Sequence, residues 1–124
     1  MRKLLMAACM ALPLAAWSHG DWPPRHGGVM NHGGETSFEL VQRRDGVNFH
    51  VSDHGEVLST RGSRATLSVK RAGKEQRFEG APRKENELFF PKAKVTSQDD
   101  AQVKVTFENG SVAVGRFPAQ RARP

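Results

Sequence analysis

Cysteine is almost absent from this chain of 124 residues, and the single cysteine, Cys9, lies in an apolar run near the N-terminus. That run, residues 4–16, follows the basic pair Arg2 and Lys3, and Ala16 and Ser18 supply the small residues at positions −3 and −1 of a cleavage site. This layout is typical of a secretory signal peptide, here residues 1–18. If cleavage follows Ser18, the mature chain has no cysteine, which excludes disulfide bonds and thiolate metal sites.

Long apolar runs are also absent, since residues 4–16 are shorter than the roughly 20 residues of a membrane span and no later segment is more apolar. Two alternatives stay open for this segment: a buried N-terminal helix, or a lipidation motif around Cys9. A short basic start with a short apolar core suits a bacterial envelope protein. We therefore expect a periplasmic protein with no membrane span.

Helical periodicity is missing from the rest of the chain, where apolar and polar residues alternate in short segments separated by turns such as Asp45-Gly46. This pattern predicts an all-β fold, either a small antiparallel Ig-like β-sandwich or a barrel of about seven strands. We expect an irregular arm at residues 19–35, the β-domain at 36–118 and a basic tail at 119–124. The predicted strands are residues 37–42, 47–52, 65–70, 74–79, 87–90, 101–107 and 111–117, and residues 57–60 could add a short edge piece.

The charge balance and the missing motifs narrow the function. The chain has 19 lysines and arginines against 13 acidic residues, and removal of Arg2 and Lys3 leaves a net charge of about +4. Export argues against a nucleic-acid partner, whereas anionic lipid or a cell-surface polymer suits a basic surface. No phosphate-binding loop and no Ser-His-Asp elbow motif is present, and Asp99-Asp100 is typical of a solvated turn. We expect a protein that is not an enzyme.

Histidine is concentrated in the arm, whose sequence from His19 to Glu35 reads HGDWPPRHGGVMNHGGE. Within it, His26, Met30 and His32 are spaced as in a metal-binding loop, and glycines allow such a loop to fold around an ion. Imidazole is the commonest transition-metal ligand, and a thioether adds a preference for Cu(I). The arm therefore predicts a copper site, or a zinc site if a carboxylate of the arm replaces Met30.

Three further histidines could contribute to that site. His50 lies on the solvent face of its strand, and His54 lies in the turn that follows, so either could complete the site if the arm folds back over the sheet. Cleavage after Ser18 would make His19 the N-terminal residue, whose amino group and imidazole together chelate Cu(II). That arrangement needs one more histidine, His26 or His32.

A structural explanation of the same residues stays open. A single surface histidine is more often solvated than a ligand, and Met30 could fill a gap where the arm meets the sheet. Trp22, beside Pro23 and Pro24, could pin the arm to the domain by apolar packing. In that case the arm is a flexible lead-in to the folded domain.

Four short motifs together resemble a known family: His26-Gly27-Gly28, Phe38-Glu39-Leu40, Phe49-x-Val51 and Asp53-His54-Gly55. Residues 24–58 are similar to the opening of small periplasmic proteins of heavy-metal resistance, and to the N-terminal domain of periplasmic adaptors of cation-efflux pumps. The resemblance implies a β-sandwich-like domain that binds or hands over copper, zinc or a related cation, with His26 as the best ligand candidate. A second His-Gly-Gly, residues 32–34, departs from the single element of that family.

Together these features predict a non-enzymatic periplasmic metal-binding protein. It would capture copper, or zinc, through His26, Met30 and His32 and deliver it to an efflux or resistance partner. The chain is too short for an efflux adaptor and lacks the coiled-coil hairpin of those proteins. It would therefore act as a stand-alone metal binder and not as a domain of an adaptor. The alternative is an envelope interaction module without metal, which binds a protein partner or an anionic polymer through its basic surface.

Overall fold

The computed structural model describes residues 22–120. The regular secondary structure within that range consists of β-strands, with no helix. The all-β prediction is confirmed, with nine strands where the sequence indicates about seven. Two of the nine are two-residue pieces, one of them inside the arm that the sequence predicts to be irregular. The strands are β1 (Val29–Met30), β2 (Thr36–Arg43), β3 (Gly46–Asp53), β4 (Glu56–Val57), β5 (Arg64–Arg71), β6 (Lys74–Arg83), β7 (Glu87–Pro91), β8 (Asp100–Thr106) and β9 (Val112–Phe117).

All pairings between these strands are antiparallel, in the order β1-β2-β3-β7-β6-β5-β8-β9, and β4 pairs with β3 off this path. The two ends of the sheet meet where the backbone N–H of His32 donates to the carbonyl oxygen of Arg116 at 3.0 Å. The sheet is thus nearly closed into a barrel. Between the two alternatives that the sequence leaves open, the structure selects the barrel.

Strand β6 turns one corner of this barrel and is longer than the predicted segment 74–79. Its first part pairs with β5 and its last residues, from Ala81, pair with β7. Gly80 lies at the change of partner, where a Cβ atom would come within 2.6 Å of the ring of Phe90. Glycine at this position allows the strand to pass over a core side chain and continue into the next pairing.

The interior of the barrel is centred on Phe49, which is completely buried. Its ring lies 5.6 Å from the rings of Phe90 and Phe117 and 6.3 Å from that of Phe38, centroid to centroid. These distances are typical of favourable aromatic pairs. The four rings come from β2, β3, β7 and β9, so one cluster links strands that are far apart in sequence and stabilises the closed sheet.

Asp99 corrects one sequence-based expectation, because it is buried and ion-paired, not part of a solvated turn. It is 2% exposed, and its two carboxylate oxygens accept Nε–H and Nη2–H of Arg71, each at 2.7 Å. The amide of Thr96 donates to the same carboxylate at 2.8 Å. Hydrogen bonds from Arg71 lower the pKa of Asp99 to about 2, against the opposing effect of burial. The pair fastens the loop before β8 to the end of β5.

Residues 22–120 contain no helix long and apolar enough to cross a membrane. The predicted signal peptide at residues 1–18, His19 and residues 121–124 of the predicted basic tail lie outside the described residues.

Candidate functional site

A row of polar and sulfur-containing side chains crosses the outer face of the barrel. Met30 pairs with Glu39, Glu39 with His50, and His50 with Glu87, so the row passes through β1, β2, β3 and β7. Residues directly opposite each other in antiparallel strands place their side chains on the same face. The neighbours of Glu39 and His50 along each strand point into the core, so this row faces outwards. Closely spaced donors of different chemistry therefore share one patch of the barrel surface.

The N-terminal arm covers this row and is held there by Glu39. One carboxylate oxygen, Oε1, accepts the backbone N–H of Arg25 at 2.9 Å. The other, Oε2, accepts the N–H groups of His26 at 2.7 Å and Gly28 at 2.9 Å. Burial alone raises the pKa of Glu39, but the hydrogen bonds from these amides outweigh it and lower the pKa below the ordinary value. Glu39 is therefore an ionised carboxylate beneath the arm, with 3% of its surface exposed.

The first His-Gly-Gly motif has a structural explanation in this docking. Gly27 has a φ of +74°, a conformation that other residues rarely adopt. A Cβ atom at Gly28 would overlap the carbonyl oxygen of Leu40, so the arm can approach β2 closely only with glycine at this position. The two glycines thus place the backbone of His26 and Gly28 against Glu39.

The described part of the arm, from Trp22 onwards, is held near both of its ends by separate contacts. The indole of Trp22 packs on Gly55, where a Cβ atom would lie 3.1 Å from the ring, and Nη2–H of Arg25 donates to the carbonyl oxygen of Gly55 at 2.9 Å. At the other end, Oδ1 of Asn31 accepts the N–H of Phe38 at 2.9 Å. Trp22 thus contacts the turn between β3 and β4.

His26 of the arm stacks on His50 of β3, with ring centroids 3.6 Å apart and an angle of 12° between the ring planes. His50 lies on the outer face, as its strand position predicts, but the arm covers it and leaves 10% of its side chain exposed. Burial and the nearby His26 lower the pKa of His50, and Glu87 and Glu39 counteract this only in part. The ring is therefore neutral at neutral pH, the form in which imidazole binds metals.

Glu87 and Asn48 orient the ring of His50 from the barrel side. Its Nδ1 lies 3.7 Å from Oε2 of Glu87, and its Nε2 lies 3.5 Å from Nδ2 of Asn48. Nδ2 of Asn48 also donates to Oε1 of Glu87 at 3.0 Å. A carboxylate beside an imidazole N–H is the usual support for a metal-binding histidine, and it fixes the tautomer and the ring orientation.

These elements enclose a pocket of about 310 Å³ between the arm, the row and the β3–β4 turn. Three of the residues that the sequence predicts as ligands line it: His26, Met30 and His50. The structure thus brings together one imidazole and a thioether from the arm with one imidazole from the barrel. The other lining residues include Trp22, Glu39 and Glu87.

The remaining predicted ligands lie elsewhere. His32 lies at the seam between the two ends of the sheet, where its backbone bonds to Arg116, and it does not line the pocket. His54 lies in the turn after β3, with its Nδ1 2.7 Å from Oδ1 of Asp53 and 72% of its side chain exposed. His19 lies outside the described residues.

Within residues 22–120, no group of three or more histidine, cysteine, aspartate or glutamate side chains is arranged to hold a metal ion. The imidazoles of His26 and His50 and the thioether of Met30 line the pocket and are side chains of metal-ligating type. The carboxylate of Glu39 is already occupied by three N–H donors. A cation that suits this set must accept a thioether and few ligands.

Sequence reasoning missed Glu39 and Glu87 as residues of this site. The Asp45-Gly46 dipeptide misplaces Glu39, because as the two central turn residues it would set Glu39 opposite Ser52. The observed loop is instead Arg44-Asp45, and Glu39 pairs with His50. Glu87 carries no signal in the sequence, since β7 is distant in sequence and reaches β3 only through the closed sheet.

The chain matches no protein-family model, no curated protein and no solved structure. The resemblance to heavy-metal-resistance proteins therefore stays a prediction.

Proposed function

We propose that this protein is a periplasmic copper-binding protein that captures Cu(I) in the pocket under the arm and delivers it to a partner of an efflux or resistance system. The donors are the imidazoles of His26 and His50 and the thioether of Met30. The observation that carries the proposal is that these three side chains, from the arm and from β3, line one pocket. The N-terminal sequence, with its signal-peptide layout, supports the periplasmic location.

The donor set favours Cu(I) over Zn(II). Thioether ligands select Cu(I), whereas zinc in proteins is almost always bound by four ligands that are thiolates, imidazoles or carboxylates. The pocket lacks a thiolate, and the carboxylate of Glu39 accepts three backbone N–H groups. Two imidazoles and one thioether are therefore a poor zinc site and a suitable Cu(I) site.

The distribution of the donors suits delivery. His26 and Met30 belong to the arm, whereas His50 belongs to the rigid barrel, so movement of the arm separates the donors without unfolding the domain. Copper is the cargo in this proposal, and the pocket carries out no reaction on it. The protein acts as a carrier and not as an enzyme.

Titration of the protein with Cu(I) against a competing chelator, and separately with Zn(II), tests the proposal. We expect one Cu(I) per chain, weaker Zn(II) binding, and a loss of Cu(I) affinity in His26→Ala, His50→Ala and Met30→Leu. His54→Ala is the matched control, because His54 is exposed and lies outside the pocket. Wild-type binding no tighter than about millimolar, a free energy of only about 4 kcal/mol, would refute the proposed function.

A second candidate function is an interaction module that binds an anionic polymer or an acidic partner without metal. The excess of basic over acidic residues in the chain favours this candidate. So does the finding that no three histidine, cysteine, aspartate or glutamate side chains among the described residues are grouped to hold a metal ion. Retention of the metal-free protein on immobilised polyglutamate, weakened by salt, is the expected result for this candidate. Tight Cu(I) binding without such retention would exclude it.

A further inference from the structure

We infer that Glu39 is a positioning residue of the pocket: it holds the arm, and with it His26 and Met30, against the strand that carries His50, without binding the cargo itself. This inference rests on the proposed function. It concerns a residue of the barrel that is not among the ligands predicted from the sequence. Its basis is the position of Glu39 among the donors and the use of its two carboxylate oxygens.

Glu39 is adjacent to each of the three donors. It lies between Met30 and His50 in the strand register, paired with Met30 on one side and with His50 on the other. Cβ atoms of directly opposed residues are about 5 Å apart, so both side chains flank that of Glu39. Its Oε2 accepts the backbone N–H of His26 at 2.7 Å, which fixes the main chain of the third donor.

The carboxylate of Glu39 is unsuited to bind the cargo directly. Oε1 accepts one N–H and Oε2 accepts two, from Arg25, His26 and Gly28, and the side chain is buried under the arm. A carboxylate has about four lone-pair sites, so most of its capacity is already used. Coordination of an ion would break these bonds and undock the segment that carries His26 and Met30.

The three converging N–H groups require an acceptor with no donor of its own, which explains a carboxylate at this position. An amide in the same place would point its NH2 group at one or more of these N–H donors. Hydrogen bonds to an ionised acceptor are also roughly twice as strong as those between neutral groups. Glu39→Gln therefore keeps the size of the side chain and removes the property that holds the arm.

The test compares Glu39→Gln with wild type in the full chain by two measurements. The first is Cu(I) affinity, which we expect to fall about 10- to 100-fold, the usual effect of losing a residue that supports a ligand. The second is the rate of trypsin cleavage after Arg25, followed by mass spectrometry, which we expect to rise because the arm undocks. Glu35→Gln is the matched control, since Glu35 is exposed and lies outside the pocket.

A mutant cycle separates positioning from a general loss of stability. If Glu39 acts only by holding the arm that carries His26 and Met30, then adding Glu39→Gln to the double variant His26→Ala/Met30→Leu causes no further loss of Cu(I) affinity. If the two effects add, Glu39 acts on the whole fold and the inference is wrong. Glu39→Asp keeps the charge but shortens the side chain, so it should show an intermediate affinity; it also replaces Glu39→Gln in the comparison if that variant does not fold.

The two proposals can fail separately. If wild type binds Cu(I) but Glu39→Gln matches it in affinity and in cleavage after Arg25, the inference fails and the proposed function survives. If wild type does not bind Cu(I), the proposed function fails, and the assignment of Glu39 as a positioning residue for copper donors fails with it. Faster cleavage after Arg25 in Glu39→Gln would then show only that the carboxylate holds the arm.

Discussion

The imidazole rings of His26 and His50 lie face to face, with their centroids 3.6 Å apart. His26 belongs to the N-terminal arm and His50 to a central strand of the barrel, and Glu39 accepts the backbone N–H of His26 and pairs with His50. The arm and the barrel therefore form one pocket together. Changes that undock the arm should affect the pocket while the core of the barrel stays intact.

His32→Ala should leave Cu(I) affinity within about twofold of wild type, whereas His26→Ala should weaken it by at least tenfold, the usual minimum cost of disturbing a metal site. The reason is that His32 takes part in the seam through its backbone, which alanine keeps, and it does not line the pocket. Parallel chelator competitions on the two variants measure this. Equal losses in both would restore the arm-only site of His26, Met30 and His32 that the sequence predicts.

Gly28→Ala should undock the arm, because the added methyl group overlaps the carbonyl oxygen of Leu40. We expect a destabilisation of about 1–3 kcal/mol, typical of overpacking, and faster trypsin cleavage after Arg25. Urea unfolding and mass spectrometry of the cleaved arm measure the two effects. Val29→Ala is the control, since Val29 is exposed at the next position, and unchanged cleavage in Gly28→Ala would contradict the docking geometry.

Phe49→Ala should cost about 3–5 kcal/mol of unfolding free energy, because it removes a completely buried ring that contacts three other aromatic rings. The loss should appear in urea denaturation as a lower midpoint. Phe107→Ala is a useful comparison, since Phe107 is partly buried at the edge of the same core and should cost less. If Phe107→Ala costs as much as Phe49→Ala, the aromatic cluster is not the centre of stability.

Asp99→Asn should lower the thermal midpoint at neutral pH by on the order of 5 °C, the effect of about 1 kcal/mol in a domain of this size. The folded pKa of Asp99 is about 2, below its ordinary value of 3.8, so the stabilisation is complete above the ordinary value and is lost as pH falls through about 2. The difference between wild type and Asp99→Asn should therefore shrink as the pH is lowered towards about 2. A difference that stays constant down to that pH would show that the ion pair with Arg71 is not its source.

Most of the fold could be predicted from the sequence, because the alternation of apolar residues has the period of a strand. Seven strands, β2, β3 and β5 to β9, lie at or within a few residues of predicted segments, with Phe49 and Val51 buried as their spacing indicates. The closure of the sheet could not be predicted. It depends on a backbone bond between His32 and Arg116, and backbone bonds leave no residue pattern.

The candidate site was predictable in part. The chemistry of His26 and Met30, and the outward direction of His50, follow from residue type and strand periodicity. The sequence predicts His32 as the second imidazole of the site, whereas the pocket contains His50 instead. This difference depends on the path of the arm, which Glu39 and Gly28 determine through contacts between residues distant in sequence. The burial of Asp99 has the same origin, since its partner Arg71 lies at the end of β5, distant in sequence.

The most direct test of copper capture is X-ray absorption at the copper edge of the Cu(I)-loaded protein. We expect scattering from two nitrogen donors of imidazole type and one sulfur donor, with the sulfur contribution lost in Met30→Leu and one imidazole contribution lost in His50→Ala. Sulfur scattering that persists in Met30→Leu, or an imidazole count that is unchanged in His50→Ala, would contradict the proposed pocket.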